Sequence, residues 1–173
     1  GAKTLGRDMK PVWRWLATAF TFNLVAFGWL LFTAEDMGVV EDMLSRRRWA
    51  DARSALTAYR AQLDPVKQRY DLEWADYHMV RCAVMLGAAD AEQMMFNYLE
   101  EYPSSVCSNN MRFMLATYYC DNGYTFKAAD EFERVEYKGL DAREKERYDI
   151  RMGYLSFMDG DYDAAREYFS KIA

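Results

Sequence analysis

The sequence predicts an all-α protein, an α-solenoid of about four helical hairpins preceded by one hydrophobic helix. Three observations predict it. Small residues recur at Ala52, Ala91, Ala128 and Ala165, at intervals of 39, 37 and 37 residues, and stacked repeats require such a near-constant interval. Each alanine lies in an apolar stripe at helical spacing, as in Tyr162, Ala165, Phe169 and Ile172, where it leaves room for a neighbouring backbone. Three prolines and nine glycines in a chain that is 16% aromatic suit helices joined by short turns.

The 173 residues, 51% hydrophobic, can bury one substantial core, so one continuous domain with a short appendage is expected. The net charge of −5 argues against nucleic acid as a partner. It hides an asymmetry: Lys3, Arg7, Lys10 and Arg14 against Asp8 give +3 up to Arg14, which leaves −8 for the remainder. Cys82, Cys107 and Cys120 are odd in number and lack C-x-x-C spacing. They read as small packed hydrophobes, with a Cys107–Cys120 pairing as the alternative.

Residues 1–33 form the first expected unit, a hydrophobic helix with a basic amino-terminal flank. From Trp15 to Phe32 there are 18 consecutive uncharged residues, the length threshold for a membrane span. Trp13, Trp15 and Trp29 suit interfacial anchoring, and the basic flank would face the cytoplasm, leaving the repeats outside it. Lipid contact through residues 13–32 follows from this reading. Asn23, Thr18, Thr21 and Gly28 favour the other one, a helix covered by protein at the end of the stack.

Within this stretch, Thr21, Phe22, Val25, Gly28, Trp29, Phe32, Ala34 and Glu35 match a run of the T-F-x-x-V-x-x-G-W-x-x-F-R-A-E type. Residues 16–44 thereby resemble a carboxyl-terminal transmembrane segment of the membrane-bound O-acyltransferase (MBOAT) family. Thr33 stands where that family has arginine. The family's catalytic histidine lies upstream of this segment and nothing here corresponds to it, so the resemblance implies a membrane helix without acyl transfer.

The repeat unit is expected over 34–173. Ala34–Leu44 is a short helix with Met37, Val40 and Leu44 on one face, leading through Arg46, Arg47 and Arg48 into Trp49–Tyr59. The three arginines read as a solvated turn, with lipid headgroups as the alternative. Asp64-Pro65 predicts a helix start that places Val66, Tyr70, Trp74, Tyr77, Val80 and Val84 on one face up to Gly87. Asp90–Gln93 has the form of a capping box opening a helix with Ala91, Met95 and Tyr98 before Pro103. Met111, Leu115, Ala116 and Tyr119 mark the next helix. After Asp121-Asn122-Gly123 comes one carrying Ala128, Phe132 and Val135. Asp141–Glu144 is a second capping box, opening a helix with Tyr148, Met152, Gly153 and Phe157. Asp159-Gly160-Asp161 then turns into the closing helix.

Leu115, Ala116 and Tyr119, with Gly160, Tyr162, Ala165 and Phe169, match the two helices of the tetratricopeptide repeat (TPR) pattern. Pro103 falls at its closing position and Pro65 close to it. From about Ala34 onward the chain resembles that family, and its bacterial variety most. The intervals exceed the usual repeat of about 34 residues, and the family's early tryptophan is missing or displaced. The resemblance implies a peptide-binding inner surface built from the first helix of each hairpin, here Asn110, Phe113, Thr117, Asp121, Arg147 and Tyr154.

Chemistry-bearing patterns are sparse. His78, the single histidine, falls where the pattern wants a packing residue. Asp76, two residues away, lies on another face. No phosphate-binding glycine motif occurs, and no metal site, cofactor or catalytic set is expected. Glu131, Glu133, Glu144 and Glu146 alternating with Arg134, Lys145 and Arg147 read as an ion-paired surface. Met94, Met95 and Met114 read as core filling. The expected function is a non-enzymatic scaffold, membrane-tethered in a bacterial envelope with its repeats outside the cytoplasm, holding a protein or peptide partner. The alternatives are an O-acyltransferase tail joined to repeats, and an oligomerisation module that buries its hydrophobic helix between subunits.

Overall fold

The computed structural model describes residues 37–172, all helix and turn with no strand among them. The expected hydrophobic helix and most of the acyltransferase-like run lie outside the described residues. The chain divides into two units between Arg48 and Trp49. Of the first, the described part is a helix over residues 37–45 (α1) and a turn. Arg46 folds back on Asp42 at 2.8 Å, and Arg47 adopts φ +58°.

The second unit holds α2 (Trp49–Arg60), α3 (Arg69–Met85), α4 (Ala91–Glu101), α5 (Ser108–Asp121) and α6 (Thr125–Glu133). A single 3₁₀ turn (Tyr137–Gly139), α7 (Ala142–Asp159) and α8 (Tyr162–Ser170) complete it. Every helix packs on its neighbours in sequence, most extensively α2 on α3, α5 on α6 and α7 on α8. The four repeat alanines are buried: Ala52, Ala91 and Ala128 completely, Ala165 nearly so. The larger stripe residues Leu56, Met95 and Phe132 are fully buried as well, so these stripes form filled contacts in which a change of side-chain volume is felt.

Three turns share one geometry. At the end of α5, Gly123 takes φ +78°, a left-handed conformation open to glycine at no steric cost. That lets Tyr124 N–H reach the Tyr119 carbonyl at 2.9 Å and Gly123 N–H reach Cys120 at 3.1 Å, satisfying carbonyls a helix end leaves bare. The same pair of bonds closes α3 (Ala88 to Ala83, Gly87 to Val84) and α7 (Asp161 to Ser156, Gly160 to Phe157).

Three local expectations need correction. Helix α3 begins at Arg69, not after Pro65, because the Asp64 carboxylate accepts from Val66 and Lys67 N–H (2.9 and 3.1 Å), closing a separate turn. Val66, 88% exposed, has no core face to hold it in a helix. Asp90 makes no cap bond to α4; its carboxylate is drawn to Arg53 instead. Glu131 is not on the surface but buried between Arg112 (3.6 Å) and Arg134 (3.2 Å). By contrast the Asp141 box forms in full: the Asp141 carboxylate accepts from Glu144 N–H and Glu144 accepts from Asp141 N–H. The three cysteines are free thiols.

Candidate functional site

A cavity of about 620 Å³ is lined by the alternate helices α3, α5 and α7. From α3 come Tyr77, Arg81, Val84 and Met85; from α5, Asn110, Phe113, Met114, Thr117, Tyr118 and Asp121; from α7, Glu144 and Arg147. Helical spacing explains the sets. Tyr77, Arg81, Val84 and Met85 are i, i+4, i+7 and i+8, as are Asn110, Met114, Thr117 and Tyr118.

Five of the six residues expected on the inner surface therefore meet in one place: Asn110, Phe113, Thr117, Asp121 and Arg147. Their availability differs. Asn110 donates from Nδ2 to Glu144 Oε1 at 3.0 Å, and Asp121 pairs with Arg151 at 2.9 Å. Phe113, 5% exposed, lies beneath the Arg147 guanidinium at 5.9 Å from its ring centre. Thr117 Oγ1 is buried without a hydrogen-bond partner. The sixth residue, Tyr154, does not line this cavity but an adjoining one of about 480 Å³, with Ile150, Leu155 and Phe169, and Arg147 borders both.

The cavity carries two guanidiniums that make no carboxylate pair among the described residues. Arg81 sits 6.0 Å from the Tyr77 ring, and Arg147 is over Phe113. Burial raises the Tyr77 phenol above its ordinary pKa. Behind it, burial and then Arg81 push His78 down to about 4, so the imidazole is neutral at physiological pH. It packs against Trp74 at 4.5 Å and Tyr77 at 5.3 Å. The sequence reading had Tyr77 on a core face and overlooked Arg81, whose signal was its position four residues on from Tyr77.

No family model, curated protein or solved structure matches the chain.

A third cavity, about 690 Å³, lies among α2, α3 and α4. Its wall holds a polar network in which Arg60 donates to both oxygens of Asp76 and Tyr102 O–H donates to Oδ2 at 2.8 Å. Each member is satisfied by another, which makes the network a helix-to-helix brace. Among the described residues no group of three or more histidines, cysteines or carboxylates could hold a metal, and no helix is long and apolar enough to cross a membrane.

Proposed function

We propose that this protein is a non-enzymatic interaction scaffold in which α2–α8 form a TPR-like solenoid and the α3–α5–α7 cavity receives a segment of a protein partner. The observation that carries the reading is that first helices of successive hairpins line one cavity, with Thr117 Oγ1 unpartnered and the Arg81 and Arg147 guanidiniums facing it without carboxylates. An extended or helical segment laid across such a groove gains contacts from several helices at once. The apolar run Trp15–Phe32 is the proposed membrane tether, with the repeats on the outer side in a bacterial envelope.

Peptide display on the full chain tests the groove. Peptides selected on the native protein should lose binding when Arg81→Glu and Thr117→Tyr close the cavity, and retain it when exposed Val106 is changed to Ala. Selected peptides that bind the blocked protein equally well reject the site.

A further inference from the structure

We infer that the segment held in the α3–α5–α7 cavity is acidic, with two side-chain carboxylates of the partner seated on the Arg81 and Arg147 guanidiniums and an apolar neighbour against Val84, Met85 and Met114. The inference rests on the reading of that cavity as a peptide groove and adds the chemistry that the groove selects.

It starts from how this chain treats its arginines. Among the described residues Arg53, Arg81, Arg112 and Arg151 are the partly buried ones. Arg53 pairs with Asp90, Arg112 with Glu131 at 3.6 Å and Arg151 with Asp121 at 2.9 Å. Arg81 makes no such pair; its guanidinium stands 6.0 Å from the centre of the Tyr77 ring. A chain of net charge −5 has carboxylates to spare, so the missing partner does not reflect a shortage of acids. Drawing a cation partly out of water without a counter-charge is costly, and an anion that arrives with a ligand offsets that cost.

The second guanidinium in the cavity is Arg147, also without a carboxylate pair among the described residues and 5.9 Å from the Phe113 ring centre. Each of the two planar forks therefore lies against an aromatic ring, which limits its freedom before a carboxylate arrives. The cavity's own acids are engaged elsewhere. Glu144 accepts from Asn110 Nδ2 on Oε1 and from Asp141 N–H on Oε2, both at 3.0 Å, and Asp121 is taken by Arg151. The charges left to recognise a ligand are positive.

The placement of these groups selects side-chain carboxylates among the possible anions. Arg81 is carried by α3 and Arg147 by α7, the first and third helices of the lining, so two separated carboxylates answer them, each able to meet one fork with two parallel bonds. A chain-terminal carboxylate supplies one group for two forks. A phosphate concentrates up to two negative charges at one point in a cavity that already holds Glu144 and Asp121. From Asn110 to Asp121 the lining runs along α5 for roughly 16 Å, room for about five residues of extended chain. Val84 and Met85, three and four residues beyond Arg81, and Met114 of α5 give the same wall an apolar strip. Methionine adapts to varied apolar side chains there.

The test uses random nine-residue peptides displayed on the full chain as fusions with no free carboxyl terminus. Binders that lose affinity on Thr117→Tyr are the groove-dependent ones, and they should be enriched in Asp or Glu at two positions with an apolar residue beside one of them. Made as acetylated, amidated peptides, they should weaken about tenfold for each Glu→Gln or Asp→Asn change and on added salt. The amide change should matter much less on Arg81→Gln or Arg147→Gln, a coupling read from double-mutant cycles. The peptide changes leave the protein untouched, so they report on charge whatever a protein variant does to folding. Groove-dependent peptides that are neutral or basic, or acidic ones indifferent to both arginines, overturn the inference and leave the groove standing. Phosphoserine in place of Glu that binds more tightly overturns it in favour of phosphate. A selection in which no binder depends on the groove overturns both.

Discussion

Asn110 and Glu144 are joined across α5 and α7 by a 3.0 Å hydrogen bond, while the second oxygen of Glu144 accepts from the Asp141 N–H at 3.0 Å. One carboxylate thus closes the start of α7 and latches it to the preceding helix. Glu144→Ala should cost about 1–2 kcal/mol, as expected for losing a cap and a charge-assisted bond. Asn110→Ala should cost less, and the double variant should fall short of the sum, because both changes remove the same latch. Urea denaturation of the four proteins checks this.

Phe132 is fully buried, packing against Phe113 and Tyr148, whereas its repeat counterpart Phe169 is 44% exposed. Phe132→Ala should lower stability by about 3–5 kcal/mol, the range for a large aromatic removed from a filled core. Phe169→Ala should cost clearly less. Equal losses in chemical denaturation would contradict the burial difference.

His78 titrates at about 4 in the folded chain, against an ordinary 6.5, because burial and then Arg81 disfavour its charge. The unfolded chain therefore binds more protons between those values. The His78 contribution is fully present above about 6.5 and is lost progressively as pH falls towards 4. The urea midpoint should drop between pH 7.5 and pH 5.5, before most carboxylates titrate, and His78→Leu should flatten that drop. A proton titration of the imidazole near 6.5 in the native protein would refute it.

Tyr119 O–H donates to Glu92 Oε1 at 2.7 Å, with Lys127 at 3.2 Å from the same oxygen. The tyrosine bond, ahead of Lys127, holds the Glu92 carboxyl below its usual range. Tyr119→Phe should raise the Glu92 pKa towards the ordinary value, read by carboxyl carbon chemical shifts across a pH titration, and Lys127→Met should raise it too. The stabilisation tied to Glu92 is present above the ordinary carboxylate pKa and fades as pH falls through the depressed one.

What could be read beforehand was what depends on spacing along one helix. Ala52, Ala91, Ala128 and Ala165 were legible because side-chain size and period alone mark them for close contacts, whereas Asn110, Phe113, Thr117, Asp121 and Arg147 were grouped by the resemblance to the repeat family. What stayed hidden depends on partners distant in the chain. Asp90 has the local form of a cap, but Arg53, 37 residues earlier, takes its carboxylate. Glu131 belongs to a charged run, yet Arg112 on another helix makes its burial tolerable. Asp64-Pro65 carries the same signature for a helix start as for a lone turn, and only the exposure of Val66 decides between them. Tyr154 was grouped with the inner surface by the family resemblance, whereas it lies about half exposed beside Ile150, Leu155 and Phe169.

Packing concentrated between sequence neighbours has a kinetic side. Contacts of that kind close short loops, so the chain should fold fast for its size. It should also loosen by degrees rather than all at once, and α8, whose stripe is only half sheltered, is where backbone amides should surrender their protons to solvent first.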